Sequence, residues 1–125
     1  AFAAFAHAHY LGKEFELAAA LPDGRRMTML RISNYDFAWQ ELYNYRDPVR
    51  LPAGTKLTST VRWDNTERNS ANPHRPPKPI RWGPFSFDEM GSIILDTVAV
   101  EPAGEAKLIL LRTCRAKPGR HAGGA

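Results

Sequence analysis

The chain has 125 residues, 43% of them hydrophobic and 24% charged, with a formal net charge of +4 and one cysteine. That is enough apolar material for one ordinary core and too little for two full domains, and the lone thiol, Cys114, excludes an intrachain disulfide. Part of the positive excess sits in Arg112, Arg115, Lys117 and Arg120, while Arg62, Arg68, Arg75, Lys78 and Arg81 form only a loose basic patch, so the charge pattern does not amount to a nucleic-acid interface.

In chain order, the apolar run from Ala1 to Ala6 lacks a basic leader and leads straight into His7-Ala8-His9. It reads as a first strand and not as a signal peptide, and no stretch of the chain is long and apolar enough to span a bilayer. Lys13 to Ala18 alternates polar and apolar residues, the signature of a half-buried strand. Leu21-Pro22-Asp23-Gly24-Arg25 supplies turn residues, and Arg26 to Ile32 is the return strand of the hairpin. Tyr35 to Tyr45, dense in aromatics, is expected to be extended.

Pro48 and the Leu51-Pro52-Ala53-Gly54 stretch interrupt the chain before Lys56 to Trp63, a β-branched alternating run. Asn65 to Arg81 holds Pro73, Pro76, Pro77 and Pro79, which cannot donate to a ladder, so it must be a surface loop and is a candidate flap. Trp82 to Phe87 leads to Met90. Ser92 to Val100 is apolar enough for a central strand, and Lys107 to Thr113 reads as the last strand. The expected architecture is an all-β antiparallel sandwich over residues 1–116, followed by a disordered tail over 117–125.

The chemistry centres on His7 and His9. Residues two apart in a strand share a face, so the two imidazoles can converge on one point. Imidazole suits several transition metals, whereas a thioether selects for copper, Cu(I) above all, which gives Met90 the deciding role. On its own an H-x-H is also what two exposed polar residues look like, and Met90 alone would serve as core filler. Asp88, two residues before Met90, is placed to accept a proton from a ligand imidazole or to stand solvated at the surface. Tyr10 and Trp82 are candidate walls of the site or ordinary core and turn aromatics. His74 is a candidate fourth ligand or an exposed loop histidine.

His7-Ala8-His9-Tyr10-Leu11-Gly12-Lys13 followed by Phe87-Asp88-Glu89-Met90 resembles the C-terminal domain of the copper type II, ascorbate-dependent monooxygenases, the family of peptidylglycine alpha-hydroxylating and dopamine beta-monooxygenases. The resemblance covers roughly residues 7 to 100. It implies a jelly-roll sandwich in which His7, His9 and Met90 hold a catalytic copper that activates oxygen beside a substrate C–H bond, with ascorbate as reductant. It also implies a second copper on a preceding domain, so the chain is expected to be a fragment or a one-copper protein. By the same resemblance the setting is periplasmic or secreted, and the single cysteine points to a bacterial version.

One departure concerns substrate. Where peptide-hydroxylating relatives place a carboxylate-binding Arg two residues before the first ligand His, this chain has Phe5, and Ser92 and Ile94 stand where Asn and Tyr are expected. An apolar ring cannot neutralise a carboxylate, so peptides ending in glycine are not the expected substrate. Two other classes stay open: a non-catalytic copper-binding module, and a metal-free sandwich that binds carbohydrate or protein through Trp39, Trp63 and Trp82.

Overall fold

The computed structural model describes residues 1–100 of the chain. The expected strand over 107–113, Cys114, His121 and the tail over 117–125 lie outside the described residues. Six strands are present: β1 (Ala3–Ala8), β2 (Gly12–Ala20), β3 (Arg26–Ile32), β4 (Leu42–Asn44), β5 (Lys56–Trp63) and β6 (Gly91–Asp96). They form two antiparallel three-stranded sheets, ordered β4-β1-β6 and β3-β2-β5, with no helix among the described residues. This is the all-β antiparallel sandwich that the strand pattern predicts; the described strands fall short of the roughly eight of a jelly roll.

The core lies between the sheets. One face of β1 contributes Ala4, Ala6 and Ala8, and the facing sheet contributes Phe15, Leu17 and Ala19 from β2 with Met29 and Leu30 from β3. Alternation puts Phe5 and His7 on the opposite face of β1, away from this core. The inner face of β1 is lined by small alanines, while Phe15, fully buried, supplies bulk from the facing sheet. Burying a ring of that kind contributes about 1.5–3 kcal/mol.

Two expectations are corrected. Among the described residues β6 is an edge strand and β1 is the central one. The continuous run Ile93-Ile94-Leu95 looks two-sided, but Ile93 and Leu95 pack on the core whereas Ile94 is exposed. The aromatic segment from Tyr35 to Tyr45 is a strand only over Leu42–Asn44. Asp36 accepts the backbone N–H of Ala38 on its carboxylate and that of Trp39 on its carbonyl, and this local turn wins over the β-propensity of the aromatics.

Tyr35 closes the gap left by the short β4. Pairing of β4 with β1 covers only Ala3 to Phe5, so among the described residues no strand pairs with the far end of β1 on that side. There the buried Tyr35 hydroxyl accepts the Ala8 N–H at 3.0 Å and donates to the Ala8 carbonyl at 3.0 Å, and burial pushes its pKa up. The Tyr45 hydroxyl, by contrast, is buried with no hydrogen-bond partner. Tyr35→Phe is therefore expected to cost about 1–3 kcal/mol, because it strands two backbone groups of Ala8, whereas Tyr45→Phe is neutral or stabilising. Denaturant unfolding of the two variants checks the contrast; equal losses would contradict it.

Candidate metal centre

The antiparallel pairing of β1 with β6 sets His7 opposite Ser92 and Ala8 opposite Gly91. One step further along the same register, His9 meets Met90. The ladder does continue that far, because the His9 N–H donates to the Met90 carbonyl at 3.3 Å. Directly opposed residues in an antiparallel pair present their side chains on the same face. Register thus sets the Met90 backbone beside that of His9 across 81 positions of sequence.

Met90 is half-buried and takes no place in the core cluster among the described residues. Its carbonyl accepts a second hydrogen bond, from the Trp63 indole N–H at 3.4 Å. Gly91 makes this approach possible: a Cβ there would stand 2.8 Å from the Trp63 ring and 2.9 Å from Val61. At the other end of the site, Gly12 N–H donates to the His9 carbonyl at 2.9 Å in the turn that ends β1. A Cβ on Gly12 would come within 2.4 Å of the Ala8 Cβ, so the L-G-K step after the histidines is a packing requirement.

The rings of His7 and His9 stand edge to face, with centroids 5.4 Å apart and planes at 89°. An imidazole nitrogen bound at about 2.0 Å puts its ring centroid about 3.1 Å from a metal, and two such ligands at a tetrahedral angle have centroids roughly 5.1 Å apart. The observed separation fits two ligands of one ion.

Both rings are held through Nδ1. His7 Nδ1 lies 2.8 Å from Gln40 Oε1, and Gln40 Nε2 donates to the Phe37 carbonyl at 2.8 Å. That second bond fixes which end of the amide faces His7, so Oε1 accepts and His7 Nδ1 carries the proton. His9 Nδ1 lies 3.2 Å from the Asp88 carbonyl, which can only accept. Each neutral ring therefore leaves its Nε2 lone pair free, the tautomer that a metal ligand requires.

The remaining sequence candidates fall out differently. The Asp88 carboxylate does not touch either ring; it accepts the Phe85 N–H at 3.2 Å and packs over Gly83, and the backbone carbonyl takes the role expected of the side chain. Tyr10 is half-buried against Phe37, with centroids 4.6 Å apart, and so braces the segment that carries Gln40. Trp82 projects into solvent and does not wall the rings. His74 sits in the proline-rich loop, its N–H donating to Asn72 Oδ1 at 3.0 Å and its Nε2 buried without a partner.

Among the described residues no three side chains of His, Cys, Asp and Glu gather as a metal-holding group, so His74 does not join the pair. The candidate set is two imidazoles and a thioether. The loop over 65–81 is tied to itself by amides: Asn72 Nδ2 donates to Asn65 Oδ1 and Asn69 Nδ2 to the Asp64 carbonyl. Gln40, Tyr35 and Trp63 had no motif to mark them; only a contact map of the end of β1 brings them into view.

Comparison of the chain with family models, with curated proteins and with solved structures gives no match in any of the three. The candidate site therefore rests on its own residues.

Groups that orient ligand histidines typically change metal affinity by about 10–100-fold when removed. Gln40→Leu is expected to weaken metal binding within that range and to release His7 to the other tautomer, which nitrogen-detected NMR of the imidazole reads directly. Unchanged affinity together with an unchanged tautomer would remove Gln40 from the site.

Proposed function

We propose that this domain binds copper through His7, His9 and Met90 and serves as the oxygen-activating domain of an ascorbate-dependent copper monooxygenase. The observation that carries the reading is the pair of Nδ1 tethers, which leave both Nε2 lone pairs free beside the strand position of Met90. Copper held there supplies one-electron chemistry with dioxygen and ascorbate. The chain's own part is to fix the donors: Gln40 and the Asp88 carbonyl hold the ring protons on Nδ1, the ladder holds Met90 opposite His9, and Trp63 pins the Met90 backbone. Three protein ligands leave a coordination position open, as a catalytic centre requires and a closed structural one does not.

A non-catalytic copper module is the second reading. In it the same three side chains hold copper without activating oxygen. The two part on oxygen consumption by the Cu(I) form with ascorbate, which only the first requires.

The test of the ligand set is competition for Cu(I) against a chromogenic chelator. His9→Ala is expected to lose affinity for Cu(I) and for divalent ions alike. Met90→Ile is expected to lose Cu(I) affinity selectively, because a thioether favours the soft monovalent ion. Cu(I) affinity untouched by Met90→Ile would remove the thioether from the site, and copper affinity untouched by both Met90→Ile and His9→Ala would favour the metal-free sandwich.

Substrate follows from the face on which the histidines stand. Phe5 shares it, and the residues opposite Phe5 and His7 are Leu42, Ile94 and Ser92, none of them cationic. A substrate carboxylate laid along β1 would find no partner there. Glycine-extended peptides incubated with the copper-loaded protein and ascorbate are expected to stay unamidated; efficient amidation would refute this.

A further inference from the structure

The segment between the proline-rich loop and β6 turns three large aromatic side chains outwards. Trp82 is 75% exposed, Phe85 61% and Phe87 49%. Phe85 and Phe87 stack on each other with centroids 5.3 Å apart and planes at 13°. The turn beneath them is held by hydrogen bonds: Asp88 N–H donates to the Phe85 carbonyl at 2.8 Å, Phe85 N–H to the Asp88 carboxylate at 3.2 Å, and Glu89 N–H to the Arg81 carbonyl at 2.9 Å. Rings presented on a backbone already fixed lose little further freedom on docking.

The cations of the loop and this segment together are Arg68, Arg75, Lys78 and Arg81, all exposed, and none of them enters an ion pair among the described residues. The acidic residues there are fewer, and Glu67 alone among them is exposed. Asp88 is engaged with the Phe85 N–H and Glu89 is half-buried. A cluster of exposed aromatics beside unpaired cations matches the two halves of an anionic membrane surface, since rings settle at the headgroup level and basic side chains are drawn by acidic lipids.

We propose that Trp82, Phe85 and Phe87, flanked by Arg75, Lys78 and Arg81, form a docking surface for an anionic lipid bilayer. A single-stranded nucleic acid would also use aromatics and cations, but it needs ring faces open for bases to stack on. Phe85 and Phe87 each lose one face to the other, so the pair offers fewer open faces than separate rings would and forms a compact apolar body for insertion among acyl chains. The proposal is independent of copper.

The test is co-sedimentation of the full chain with vesicles of phosphatidylcholine alone and with vesicles that also contain phosphatidylserine. Binding is expected with the anionic vesicles, weakening as salt is added, and each cation removed in Lys78→Gln and Arg81→Gln is expected to lower partitioning about fivefold. The double variant Phe85→Ser with Phe87→Ser, checked for its strand content by circular dichroism, is expected to lose roughly tenfold or more. Three results would overturn the proposal: no binding to either vesicle, binding that survives loss of both rings and so belongs to other cations such as those near the C-terminal end, or a preference for oligothymidylate that the same variants abolish.

Discussion

The candidate site depends on the register of a single strand pair. In the ladder between β1 and β6 every paired position holds the same offset, from Ala3 opposite Asp96 to Ala8 opposite Gly91, and the His9–Met90 hydrogen bond carries it one residue further. A slip of one residue would turn every side chain of one strand to the other face. The sequence guards against that slip on the inner side, because Ala4, Ala6 and Ala8 with Ile93 and Leu95 fit the core only in the present phase. Burial of apolar side chains thus fixes a polar constellation on the opposite face of the same sheet.

Around that ladder the chain places groups that hold rings and backbone still. Tyr35 takes both backbone groups of Ala8, the residue between the two histidines, where no described strand pairs with β1. Gln40 reaches His7 from the same segment and is itself held by Phe37, against which Tyr10 packs. Trp63 approaches from the other sheet and bonds the Met90 carbonyl over Gly91. Apart from the local Gln40–Phe37 bond, each contact spans 27 or more positions of sequence, so the site exists only when both sheets are assembled. Its rigidity is a property of the sandwich and not of the H-x-H segment alone.

Much of this was legible in the residues. The period-two alternation in Lys13 to Ala18 and Lys56 to Trp63, and the turn at Pro22-Asp23-Gly24, gave the hairpin and the β5 strand, and residues two apart in a strand gave the shared face of His7 and His9. What escaped was set by tertiary context. Ile94 is apolar yet exposed, so β6 looked central. For Asp88 the sequence left open a carboxylate on a ligand imidazole or one solvated at the surface, but the turn from Phe85 to Asp88 engages that group and leaves the carbonyl facing His9. Gln40 carries no periodic or spacing signal; an amide becomes a ring-positioning group only when the fold delivers it, here over 33 positions of sequence.

The central claim is that two imidazole nitrogens and a thioether sulfur share one ion. Crystals soaked with copper and ascorbate, measured at the copper absorption edge, address it directly. The account predicts one anomalous peak within bonding distance of Nε2 of His7, Nε2 of His9 and the sulfur of Met90. A peak at His74 or elsewhere on the surface, or none at the histidine pair under conditions that load the protein with copper in solution, would contradict it.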